Sequence, residues 1–318
     1  NLCDKSTYIG YTATPFANIF IDADSWDNAL EDDLFPHHFI TALDYPSNYI
    51  GPHRLFNEDG DLKDKCVREV SDYKDYISLD PPHKKDDFIP ELPPSLEKSL
   101  RVFVLARAIR IKSGYGSNHS TMMVNVSRFN NIQDQVTELI NQYIKQLKDH
   151  IESSGLSEQS PVMKAFRQDF EEEYKKNENY EDILPLLSDA INPIEVLTVN
   201  GKGGALDYHD RMFKETGRHL IAVGGLALSR GLTLEGLIVS YVLRNSLASD
   251  TLLQMGRWFG YRMGYEDLCR VYLPLSSIRY YQDAEMQISE LIKEVATMNA
   301  LDRTPQDFGL KVLESDLA

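Results

Sequence analysis

The chain has little with which to cross-link itself. Its three cysteines, Cys3, Cys66 and Cys269, lie far apart, are odd in number and form no Cys-x-x-Cys pair. That pattern argues against a disulfide framework and against a cysteine-based zinc site. Isolated reduced cysteines suit a cytoplasmic protein. No apolar run approaches the roughly 20 residues that a membrane span needs, so no membrane partner is expected. No charged n-region followed by an apolar h-region opens the chain, so no secretory leader is read there. The sequence starts at Asn1 close to a buried-looking strand, and we expect an excised piece of a longer protein. A phosphate-cradling Gly-x-x-x-x-Gly-Lys-Ser/Thr is also missing. Gly201-Lys202-Gly203-Gly204 has neither its spacing nor its magnesium-binding hydroxyl, and reads as a flexible loop.

What is present suffices for a folded domain. The 318 residues are 42% hydrophobic and 26% charged, enough to bury a core. The net charge of −16 alone speaks against nucleic-acid binding, but it is unevenly spread. Residues 22–98 carry 19 acids and 8 bases, and residues 152–195 carry 11 and 4. Residues 99–151 carry 3 acids and 7 bases, and residues 196–300 balance at 11 and 11. The acidity thus sits in two segments that look like insertions, and the rest leaves room for a DNA-binding surface.

Periodicity predicts the frame. Tyr8–Tyr11 reads as a short strand ending at Thr12-Ala13-Thr14-Pro15. Residues 23–98 read as an acidic, irregular insertion broken by Pro81-Pro82 and Pro93-Pro94. A helix follows from Ser95, then a strand at Thr121–Val126 and a helix from Asn130. Residues 152–192 read as a helical, acidic insertion. Further strands are expected at Ile194–Val199, Leu220–Val223, Leu237–Leu243 and Cys269–Leu273, with helices at Thr251–Phe259 and Ile278–Met298. Alternating strands and helices imply an α/β fold with a parallel sheet.

Three segments carry candidate chemistry. On a helix, Leu252, Met255 and Phe259 would form an apolar face, and Gln254, Arg257 and Tyr261 would project opposite, where arginine could fork onto a phosphate. In Gly224–Gly236 a strand enters a glycine-flanked turn and then Ser229-Arg230-Gly231, which lets backbone approach a phosphate beside a fixed charge. The hydroxyls of Thr12 and Thr14 at a sharp turn could relay hydrogen bonds. Each segment also has an ordinary alternative, as a surface helix, a tight turn or a strand end.

Their order adds information. Thr-Ala-Thr, then Ser127-Arg128 after a strand, then Ser-Arg-Gly, then Gln-x-Gly-Arg resembles motifs III to VI of superfamily-two helicases. More narrowly, Gly10–Asn18, Ser229–Gly236 and Gln254–Arg262 resemble the Z-one domain family, described as putative endonucleases linked to restriction-modification and phage defence. The resemblance covers most of the chain. It implies a RecA-like, P-loop NTPase-type lobe spanning residues 99–318, with residues 1–22 as the tail of a first lobe. It implies Arg257 and Arg262 as arginine fingers toward the γ-phosphate, with Gln254 orienting that site. Gly231, Glu235 and Gly256 would lie near the cofactor. Ser229, Arg230, Ser127 and Arg128 would meet a DNA backbone, and Thr12 and Thr14 would couple ATP state to lobe movement. ATP and Mg2+ would be held mainly by an upstream N-terminal lobe, so this piece alone should not hydrolyse ATP. DNA, that lobe and restriction-modification proteins are the implied partners. The sequence departs from the helicase pattern in three places: Arg262 lies five residues after Arg257, Gln254 is one residue nearer to Gly-Arg, and Thr233 replaces the motif V acid.

Two other classes compete. Asp44 with Asp61-Leu62-Lys63 loosely matches a metal-dependent endonuclease pattern, and His37-His38 could ligate a metal. A non-catalytic RecA-like scaffold would instead bury Arg257 and Arg230 in internal salt bridges. Arg107 and Arg110 face either nucleic acid or the acidic insertion, and Trp258 and Tyr261 either stack on a base or pack inward.

Overall fold

A computed structural model describes residues 9–11, 36, 38–78, 83–154, 156–157, 159–200, 206–229, 232–244, 246 and 249–308. The chain divides into two compact units, Pro46–Gln282 and Asn1–Tyr45 with Asp283–Ala318.

The larger unit is built on six parallel strands. In chain order these are β2 (Val67–Val70), β3 (Ser120–Asn125), β4 (Glu195–Val199), β5 (His219–Gly224), β6 (Leu237–Val242) and β8 (Arg270–Pro274). Their spatial order is β2-β8-β6-β3-β5-β4, with every pair parallel. β3, β5 and β6 are buried along their whole length, as expected of central strands covered on both faces. A separate two-stranded antiparallel ribbon joins β1 (Tyr49–Ile50) to β7 (Gly260–Tyr261).

Helices α1 (Pro52–Phe56) and α2 (Lys63–Cys66) precede β2, and α3 (Pro94–Lys112) precedes β3. Pro94 at its first turn costs no hydrogen bond and suits a helix start. After β3 come α4 (Asn130–Ser154), α5 (Pro161–Glu173), α6 (Tyr180–Ile183) and α7 (Leu187–Ile191). One face of the sheet, through Met122, Val124, Ile221 and Tyr241, shares a core with Phe103 of α3, Ile140 of α4 and Phe166 of α5. The acidic 152–192 segment is therefore helical as expected, yet its apolar stripe is part of this core. Short α8 (Leu226–Ser229) and α9 (Ser249–Met255) follow β5 and β6, and α10 (Leu275–Ala300) and α11 (Pro305–Phe308) close the chain. In the smaller unit Leu291, Val295 and Met298 of α10 pack with Ile40 and Phe308.

The expected irregular insertion at 23–98 needs correction. Residues 67–70 pair in register with β8 as an edge strand, and Leu55, Phe56, Leu62, Cys66 and Ile77 are buried. The reason is tertiary. Arg68 in this strand is neutralised by Glu173, a residue 105 positions away, at 2.7 Å. Among the described residues no helix is long and apolar enough to cross a membrane.

Candidate functional site

Parallel pairing of β6, β3 and β5 brings three distant segments to one edge. Ser127-Arg128 leaves β3, Gly225 and α8 leave β5, and Leu243-Arg244 leaves β6. Parallel sheets bind ligands at this carboxyl edge, beside the point where strand order reverses. Here the chain fills β4 and β5 on one side of β3 and then crosses to β6 on the other. The amides of Leu243 and Arg244 both donate to Asn125 O, at 3.0 and 3.4 Å, and tie the ends of β3 and β6 together. Gly225 is a close approach. A Cβ there would stand 2.7 Å from Gln133 Nε2 and 3.1 Å from Ser127 O.

Two cations mark the edge. Arg128 is exposed, with its guanidinium 4.8 Å over the Phe129 ring. Arg244 is half-buried, and its Nη1 is buried without a hydrogen-bond partner. Burial, then the charge of Arg128, holds the Arg244 guanidinium below its ordinary pKa. Among the described residues neither arginine meets a carboxylate. Adjacent cations without an internal counter-charge suit an anion such as phosphate.

Ser127 behaves differently from its neighbour. It is fully buried. His83 Nδ1 donates to Ser78 O at 2.9 Å, and its Nε2 hydrogen-bonds the Ser127 hydroxyl at 2.7 Å. The same oxygen accepts the Phe129 amide at 3.0 Å. Ser127 thus holds the turn from inside, and Arg128 faces outward.

The segment from Gln254 to Arg262 departs from the expected helix. α9 stops at Met255. Successive short bonds from Gly256 N to Leu253 O, Arg257 N to Met255 O and Phe259 N to Gly256 O coil the chain into a tight turn. The Phe259 ring folds over Gly256, where a Cβ would lie only 2.3 Å away. Gly260, at φ 136°, then enters β7. Gln254 consequently sits exposed on α9, Arg257 half-buried in the turn and Tyr261 exposed on β7, not on one helix face. The apolar half of the pattern holds through Leu252 and Met255. Trp258 is buried as well, 5.3 Å from Tyr281, and packs inward; Tyr261 remains accessible.

The two arginines of this turn differ. Arg262 donates to Tyr261 O at 2.9 Å and Arg257 O at 3.1 Å, which staples the turn. Arg257 makes no ion pair with a described carboxylate, and burial followed by the Arg262 charge lowers its pKa. Among the described residues it is not locked in an internal salt bridge.

Glu235 lies apart from the other candidates. It precedes β6, so it lies at the amino edge, across a six-residue strand from Arg244. That strand spans ~20 Å. Its carboxylate lies 3.7 Å from His119 Nε2 and 3.5 Å from His209 Nε2. The chain must return to the amino edge after α8 because β6 runs parallel to β3, and Glu235 is on that return. Thr12, Thr14, Arg230, Gly231 and the Ser229 side chain lie outside the described residues, as do Gly201–Gly204 and His37.

The remaining candidates are engaged elsewhere. Arg54 grips Asp61 with two bonds of 2.9 and 2.7 Å, and that contact lowers the Asp61 pKa. Arg107 donates to Ala190 O and Arg110 to His119 O, each at 2.8 Å, and both are buried. Arg107 thus meets the backbone of the acidic 152–192 segment, and Arg110 turns to the residue before β3. Among the described residues no three His, Cys, Asp or Glu side chains gather as a metal site. Sequence reasoning missed Arg244 and Gln133. The first directly follows the apolar run Leu237–Leu243, which was its only signal.

Fold and site together define an α/β protein with a parallel sheet and a cationic carboxyl edge. The model of the Z1 domain matches residues 95–318, and the chain belongs to this Z-one family. No curated protein and no solved structure matches the chain.

Proposed function

We propose that this chain is the second, RecA-like motor lobe of a superfamily-two, DNA-dependent ATPase serving restriction-modification or phage defence. One observation carries the proposal. Ser127-Arg128, the Gly225 turn and Arg244 with the α9 turn follow three adjacent parallel strands, and the cations among them lack carboxylate partners among the described residues. The order of the segments that resemble motifs IV to VI fits that arrangement. DNA phosphates would run along Arg128 and Arg244, and the family resemblance adds Ser229 and Arg230 to the contacts.

ATP and Mg2+ would be held mainly by an upstream lobe. The fit on this side rests on Arg257, a half-buried guanidinium without a described counter-charge. Bound ATP supplies the phosphoryl group, whose developing charge a preorganised arginine stabilises. Arg257 would be that arginine. Arg262, bonded to Arg257 O, would position it rather than act as a second finger. Exposed Gln254 would orient the same site from α9.

The test is DNA-stimulated ATP hydrolysis by the full-length protein. Arg257→Ala should lower turnover by about 10³-fold with the fold intact. Arg262→Ala should cost less. Equal rates for wild type and Arg257→Ala, or no hydrolysis by wild type, would sink the motor assignment.

A further inference from the structure

A cleft of about 420 Å³ opens between the ends of β3, β4 and β5, lined by Arg128, Asn130, Gln133, Asn200, Gly225 and Leu226. Its two ends differ chemically. At the inner end Gln133 is 2% exposed, and its Nε2 donates to Ser127 O at 3.0 Å. That bond fixes the amide and leaves Oε1 buried without a donor. Asn125 repeats the pattern, with Nδ2 toward Gly225 O and Oδ1 unpartnered. Buried acceptors are almost always satisfied, so the Gln133 oxygen, whose side chain lines the cleft, asks for a donor; Asn125 lies outside the lining. A phosphate cannot supply one, because its own oxygens would face the amide oxygen.

The rim has the opposite character. Arg128 is exposed there, and the first turn of the 25-residue helix α4 forms the wall beside it. A helix N-terminus favours negative charge. Leu226, 53% exposed, adds an apolar wall. The cleft therefore fits a flat body with N–H donors at one end and an anion at the other.

We infer that this cleft receives one unstacked nucleotide of a DNA strand, its base edge turned in to Gln133 Oε1 and its phosphate held at the rim by Arg128. This rests on the proposed DNA-binding function and deepens it, making the protein a reader of exposed bases as well as of backbone. Packing against the exposed Leu226 needs no base identity, and the Gln133 acceptor adds a preference for a base edge bearing an N–H. Gly225 is the hinge of the design, since any side chain there would displace the Gln133 amide.

Fluorescence anisotropy with the full-length protein compares an intact single-stranded oligonucleotide with an abasic strand of equal length. Wild type should bind the intact strand roughly tenfold tighter, the contribution of one packed base. Gln133→Leu should shrink that ratio and keep the abasic affinity. Arg128→Ala should weaken both strands alike. Equal wild-type affinity for the two strands overturns the cleft while the phosphate track stands. Binding of neither strand overturns both. Displacement of the strand by a free deoxynucleoside monophosphate at comparable concentration overturns the strand as the source of the nucleotide. The wild-type comparison needs no variant to fold.

Discussion

The two edges of the same sheet treat charge in opposite ways. At the amino edge Arg270, which opens β8, meets Glu173 at 2.6 Å, and the same carboxylate holds Arg68 at 2.7 Å. Arg218, just before β5, lies 3.4 Å from Glu195 at the start of β4. His119 faces Glu235 there as well. At the carboxyl edge Arg128 and Arg244 repel each other with no described acid between them. The amino edge closes its charges within the chain and serves stability. The carboxyl edge leaves its charges open among the described residues, as the proposed DNA contact requires.

The sharpest break of this contrast is Glu173→Ala. Its side chain is 1% exposed between two guanidiniums, so removal strands two cations in the interior. Breaking one side of such a pair costs about 3–5 kcal/mol. Burial alone would raise the Glu173 pKa, but Arg68 and Arg270 outweigh it and the net shift is downward. A lowered folded pKa gives stability that is full above the unfolded carboxylate value, about 4.3. It is lost as pH falls through the lowered folded value. Denaturant titration of wild type between pH 7 and pH 3 should show that loss, and Glu173→Ala should remove its share of the slope. A cost below about 1 kcal/mol would deny the amino edge its structural role.

The reciprocal experiment is Arg128→Ala and Arg244→Gln. Each should leave thermal stability within about 0.5 kcal/mol, or raise it slightly for Arg244, whose half-buried charge has no described counter-charge. Each should also flatten the dependence of log K for DNA on log salt by about one unit. Lost stability with an unchanged salt slope would reverse the assignment of the two edges.

Much of the fold is legible because central parallel strands write themselves as continuous apolar runs. Leu237–Leu243 is read as such and found as β6, one residue shorter. β2 is not legible. Val67-Arg68-Glu69-Val70 is half charged, and only Glu173 and β8 make a strand of it. The helix expected through Phe259 stops at Met255 because Gly256 admits a back-folded ring that no local propensity encodes. At the site, Arg128 and Arg257 are legible from motif spacing. Arg244 has no motif, and Gln133 acquires its meaning from Ser127 O and Gly225, contacts that close only in three dimensions.

The smallest expected effect tests the separation of the edges most directly. Helicase spacing groups Glu235 with the cofactor contacts, whereas topology sets it beyond the whole length of β6 from Arg244. At 34% side-chain exposure its pairing with His119 is worth under about 1 kcal/mol. Glu235→Gln should therefore leave DNA affinity and DNA-stimulated ATP hydrolysis within twofold of wild type, a change too small to reach across ~20 Å of strand. The substitution should still register locally. Burial already holds the His119 pKa below its ordinary value against the pull of Glu235, so the ring should titrate lower still by NMR. A tenfold loss of hydrolysis with that local signature intact would mean that the amino edge feels the proposed motor site, and the division between a closed and an open edge would fail.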